Sequence, residues 1–374
     1  MTVVVLTEFL LYICFAVMTG SMIIYTVPKG RLPDVTVPKK AILYSIIGSI
    51  VLSIGPVIST IIIFGKDIGY WTSFKSVLFG FDIGKAWIFM LVIGLLLFGL
   101  VYFNDINHDP FLSKIALLLV VLLIGGYAKA SHAASLAPFA GFTYHYLHLI
   151  AVAIWGGLLI TTAWFSKKGS NWLNFLKWFT PLASICLVII ILSGILTMSI
   201  DIAKPADHSV RSLINQYDHG LMVNYGQSLL IKHILIVPLV IYAVMNAFVI
   251  RRRLKRNRGA HPLKWARVET IIIMAIFSVT AFLGQQSPPH DIVAALKVDG
   301  ASPLFNALYP GVITPETTVH WSFNLMSISF LILGILMAVM TTMSVANRFT
   351  KGFSIFLAFC LVLSSYLTVM LSID

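Results

Sequence analysis

The chain has 374 residues, of which 59% are hydrophobic and only 11% charged, and a soluble fold of that length needs far more charge to cover its surface. Its net charge of +12 does not point to nucleic acid, because the basic residues sit in short segments between apolar runs and not along one groove-facing element. Cys14, Cys186 and Cys360 all fall inside apolar runs, which excludes a disulfide framework or a paired-cysteine zinc or redox motif.

A helix needs about 20 residues to cross a hydrocarbon core of roughly 30 Å. Runs of that kind cover residues 3–27, 41–64, 86–103, 112–128, 143–165, 178–200, 228–250, 266–286, 320–346 and 353–373. The first has no basic stretch before it and is interrupted by Glu8, so it is read as a retained span and not as a cleaved leader. The fourth, between Lys114 and Lys129, is the weakest. The expected fold is therefore all-α, a polytopic transmembrane helix bundle of about ten spans.

Loop charge tests this count, because lysine and arginine favour the cytoplasmic side. The segment after the seventh run carries Arg251, Arg252, Arg253, Lys255, Arg256, Arg258, Lys264 and Arg267. Placing it inside also puts Lys29, Arg31, Lys39 and Lys40, then Lys167, Lys168 and Lys177, then Arg348 and Lys351 inside. Both termini are then expected to be extracellular. The outward loops are longer and mixed in charge: 65–85, 129–142, 201–227 and 287–319. Within the first, residues 70–81 read as an interfacial helix that dips Trp71 and Phe74 into the headgroups. Pro288, Pro289, Gly300, Pro303 and Pro310 in the last argue for ordered irregular structure and not another span.

With that topology, His132, His145, His148, His208, His219, His233, His290 and His320 lie on the outer side or at outer ends of spans, and only His108 and His261 lie inside. Imidazole suits copper, zinc, iron and nickel, so such a layer is where an ion of this kind would collect. The ring is also an ordinary interfacial group, which is the simpler account of any single loop histidine. His145 and His148 stand out because residues three apart share one face of a helix and can present two nitrogens to one ion. His233 lies a few residues into the seventh span, at a comparable expected depth, beside Lys232, whose charge would need a partner such as Asp218 or Glu8. Met198, with Met90, Met222 and Met326 at similar depth, could take a soft ion onward, and Met18, Met22 and the trio Met337, Met340 and Met343 lie deeper. Methionine is equally an ordinary filler of membrane helices. Asn246, Arg267 and Glu269 near the inner ends of spans seven and eight read as a polar pairing that pins two helices. No phosphate-binding loop, zinc-protease, nucleophile-elbow or dinucleotide motif is present, so no enzymatic activity is expected.

Between about residues 126 and 290 the chain resembles the copper resistance protein D family, CopD, including the membrane part of Gram-positive copper-uptake proteins. The resemblance rests on Ser131-His132-Ala133, on His148 followed by Trp155-Gly156-Gly157-Leu158, on Phe179-Thr180-Pro181-Leu182-Ala183 and on Ser193-Gly194. It continues through Tyr225-Gly226-Gln227-Ser228-Leu229-Leu230-Ile231-Lys232, Met245-Asn246-Ala247, Glu269 and Gln285-Gln286-Ser287-Pro288-Pro289. It divides the chain into a four-span region (1–128), a family-like core of four spans (129–290), and an extracellular loop with two further spans (291–374). The resemblance implies copper passage across the plasma membrane, commonly with an extracellular copper-binding partner protein. On that basis the expected metal ligands are His132, His145, His148, His233, His290 and Met198, with copper as Cu(I) or Cu(II). Outward capture favours import, since an exporter would collect its ion inside. The alternative from another class is a membrane redox protein in which His148 and His233 ligate one b-type haem.

Overall fold

A computed structural model describes residues 2–167, 171–202, 209–256, 260–286, 288, 292–314, 316–347 and 349–374. Among the described residues there are ten helices long and apolar enough to cross a membrane. In order these are Val3–Thr26, Lys39–Ile68, Asp82–Phe103, Pro110–Lys129, Ala140–Phe165, Trp172–Ile202, Asn224–Lys255, Pro262–Leu283, Leu325–Ala346 and Lys351–Met370. There is no strand among the described residues, and isolated β-bridges join Val35 to Ser166 and Trp321 to Ile373. The chain forms two compact units, Met1–Ile200 and Asp201–Asp374.

In the first unit, a buried cluster joins Leu11, Phe15, Met18 and Met22 of the first span to Ile46, Met90, Leu97 and Leu123 of the next three. Lipid tails are as apolar as these side chains, so close packing and not expulsion from water holds such helices together. Glycine makes the closest approach possible: a Cβ built on Gly20 would run into the backbone of Gly157, and one on Gly157 would meet the backbone of Ala16 and Gly20. The first and fifth spans therefore touch main chain to main chain.

The second span is two helices in line, Lys39–Leu52 and Gly55–Ile68. Pro56 cannot donate to the carbonyl four residues before it, which interrupts the helical ladder there. The amide of Ile54 turns to Val51 at 3.4 Å, and the carbonyl of Ile50 accepts instead from Ser53 Oγ (3.1 Å) and Trp87 Nε1 (3.1 Å). The expected helix after this span is present as Tyr70–Lys75, followed by a π-helical turn at Ser76–Gly80. Trp71 is exposed, its ring stacked on Phe74 at 5.7 Å and covered by the Lys75 ammonium.

In the second unit, the seventh span passes through a π-helical turn at Asn246–Ile250 before its basic end. The ninth span starts at Leu325 and not at the expected residue 320, because Asn324 closes a capping box with Ser327. The segment before it is extended and bonds with the chain end, His320 pairing both ways with Asp374. Three polar ties cross this unit. Tyr242 donates to the carbonyl of Ser354 (2.7 Å), Tyr366 donates to Gln227 Oε1 (2.6 Å), and Gln227 Nε2 donates to the carbonyl of Leu221 (2.6 Å). The 287–319 segment holds two short helices, Ile292–Asp299 and Pro303–Asn306, and the amide of Ser302 is anchored to the Met222 carbonyl.

Candidate functional site

His148 lies on the fifth span one turn beyond Tyr144, and the sixth span supplies neighbours of its ring. Its Nδ1 is 3.1 Å from the carbonyl oxygen of Ile190 and 3.3 Å from Ser193 Oγ. A carbonyl only accepts, so Nδ1 carries the hydrogen, and in the neutral ring the lone pair resides on Nε2. That is the state in which imidazole ligates a metal: one nitrogen is fixed by a backbone acceptor and the other is basic. Gly194 leaves room for the ring, since a Cβ there would come within 3.3 Å of His148 Cε1.

His145 is half-buried, one turn earlier on the same face of the helix. Met198 is half-buried and lies four residues beyond Gly194, so the two share a face of the sixth span. Consecutive spans run in opposite directions, and the contact of His148 with Ile190 and Ser193 fixes their register. Met198 lies beyond the His148 contact, towards the C-terminal end of the sixth span. Imidazole and thioether are donor types that suit Cu(I), and imidazole alone also serves Cu(II). His132 opens the short helix His132–Leu136, capped by Ser131, and is exposed.

His233 belongs to the second unit. Its Nδ1 is 3.1 Å from the Tyr217 hydroxyl, with the two rings stacked at 5.9 Å. Tyr217 projects from Val210–Gly220, a helix too short to span. Burial, and then the nearby Asp218 carboxylate, push the Tyr217 hydroxyl up to about 12, so it stays protonated at neutral pH. The charge facing Lys232 comes from Asp201, at the end of the sixth span. The expected partners were Asp218 or Glu8, and Asp201 was missed because it reads as the first loop residue after an apolar run. Asp201 Oδ1 is buried with no hydrogen-bond partner among the described residues.

His290 and His208 lie outside the described residues. Among the described residues, no three His, Cys, Asp or Glu side chains gather to hold a metal. Met18, Met22 and Met90 are buried in the core of the first unit, and Met222 in that of the second, whereas Met326 and Met343 are exposed. His219 is turned back on its own helix, Nδ1 2.7 Å from the carbonyl of Asn215, and His320 Nε2 is 2.9 Å from Thr318 Oγ1.

The molecule is a polytopic α-helical membrane protein whose fifth and sixth spans are joined by the His148 ring. Residues 173–283 match the family model of copper resistance protein D. The matched stretch takes in the sixth to eighth spans and with them Met198 and His233, while His132, His145 and His148 precede it and His290 follows it. No curated protein and no solved structure matches the chain significantly.

Proposed function

We propose that this protein carries copper inward across the plasma membrane. The family match suggests a copper-related membrane function. The observation that supports a ligand role is His148, whose Nδ1 is tied to the Ile190 carbonyl so that Nε2 is the basic nitrogen. In this reading both termini face outward, the basic segment 251–267 faces the cytoplasm, and no residue is catalytic. His132 lies at the outer entrance, and His145 and His148 hold the ion with Met198. Copper is the cargo, received as a free ion or from an extracellular copper-binding protein. Soft thioether donors favour Cu(I) once the ion has left the imidazoles.

The test is the copper content of the purified full-length protein, loaded with copper and compared with His132→Ala, His145→Ala, His148→Ala and His233→Ala. Loss of copper in His145→Ala and His148→Ala supports the site, and unchanged copper in every variant refutes it. The absorption spectrum of the same preparations separates a haem protein, because a Soret band lost in His148→Ala and His233→Ala would replace copper by b-type haem.

A further inference from the structure

An ionised carboxylate inside a membrane bundle is strongly unfavourable unless a cation accompanies it. Glu269, on the eighth span, is 2% exposed. Its Oε2 accepts a 2.7 Å hydrogen bond from Asn246 Nδ2 of the seventh span, a neutral partner. The cations of this unit's basic end are placed elsewhere. Arg253 donates to the carbonyls of Val345 and Ala346, and Lys264 donates to the carbonyl of Phe349 and lies over the Trp265 ring. Arg267, two residues before Glu269, leaves the helix on a different face. Lys232, which faces Asp201, and His233, Arg251, Arg252 and Lys255 of the seventh span, Lys351 of the tenth, and His261 ahead of the eighth complete the charged and basic groups on the packed elements. The ion pairs among the described residues do not include Glu269, and the side chain that holds it is Asn246. The uncharged titratable groups on these elements are Tyr225 and Tyr242 of the seventh span, the latter bonded to Ser354, and Cys360 and Tyr366 of the tenth.

Asparagine is the partner that suits a carboxyl group in both of its states. Its NH2 donates to the carboxylate, and its carbonyl accepts from the acid once the amide turns over, whereas an arginine would hold only the anion. Asn246 also begins the π-helical turn at Asn246–Ile250, a local widening of the helix that recurs at functional sites.

We propose that Glu269, paired with Asn246 at this turn, is a proton-binding site, and that the proton it takes up and releases is the coupling ion of transport. The carboxylate accepts one proton from water on the side of the 251–267 segment, becomes the neutral acid with its O–H on Asn246 Oδ1, and returns the same proton to reset. The coupling rests on the copper reading above. The proton site does not.

Infrared difference spectra of the full-length protein in nanodiscs, without copper, test the site as pH is lowered. A carboxylic-acid C=O band is expected to grow in the wild type, to be absent in Glu269→Gln, and to shift in frequency in Asn246→Ala. A wild type without such a band, or a band unchanged in Glu269→Gln, overturns the site. If Glu269→Gln fails to fold, an unshifted band in Asn246→Ala does so. Copper uptake into proteoliposomes tests the coupling: a proton gradient is expected to change the wild-type rate and not that of Glu269→Gln. Uptake indifferent to the gradient in the wild type overturns the coupling. An intact band in a protein that moves no copper under any condition refutes the copper reading alone.

Discussion

The His148 ring is positioned by two things on the sixth span, a backbone carbonyl that orients it and a glycine that makes room for it. Replacing Gly194 by valine would push branched carbons into the ring, which already lies within 3.4 Å of a single added Cβ. We expect Gly194→Val to weaken copper binding by roughly 10–100-fold, as loss of an orienting partner does at other metal sites, with the protein still folded. Calorimetric titration with copper checks this, and an unchanged affinity would detach Gly194 from the site. At His233 the bond to Tyr217 has two forms, a hydroxyl donating to Nδ1 or an Nδ1–H donating to the hydroxyl. Only the second leaves Nε2 as a ligand. Copper binding that survives in Tyr217→Phe and disappears in His233→Ala would show that the tyrosine positions nothing. The sequence exposes His145 and His148 because a three-residue spacing marks one helical face without knowledge of the fold. It does not expose Ile190 or Asp201, since these acquire meaning only from the register between one span and the next.

At the scale of the helices, the ten spans are legible because each must bury an unbroken apolar length in lipid, and that demand is written into composition. Interruptions are less legible. Pro56 breaks the second span into two helices and the π-turn at Asn246 widens the seventh, yet both lie within apolar runs that read as continuous. The paired glycines of the first and fifth spans belong to the same lesson. Gly156 and Gly157 can be suspected of close packing from sequence, but only the structure shows that Gly20 is the counterpart. Gly157→Leu should therefore force these backbones apart at a cost of about 1–3 kcal/mol or more, seen as a lowered thermal midpoint in detergent. A midpoint unchanged from the wild type would contradict the contact. In the second unit Gln227→Leu removes the acceptor for Tyr366 and the donor to Leu221 at a site only 1% exposed. The expected loss is about 1–3 kcal/mol from the polar groups left buried. The double variant Gln227→Leu with Tyr366→Phe should recover part of it.

At the scale of the whole molecule, orientation rests on charge. The segment 251–267 holds the densest run of arginine and lysine, and a membrane-impermeant thiol reagent applied to intact cells should not label a cysteine introduced at Arg256, while one introduced at Val312 should react. The opposite pattern would invert the molecule and turn the histidine layer towards the cytoplasm, which would favour export. Function is the least legible level, because a metal site is a matter of a few atoms on different spans and the family match covers residues 173–283, short of the fifth-span histidines. The most direct measurement is therefore copper uptake by cells that produce the full-length protein, compared with cells producing His148→Ala at equal membrane abundance. The account predicts faster copper accumulation with the wild type and loss of that gain in the variant. Equal accumulation in the two, or less copper in wild-type cells than in cells lacking the protein, would contradict it.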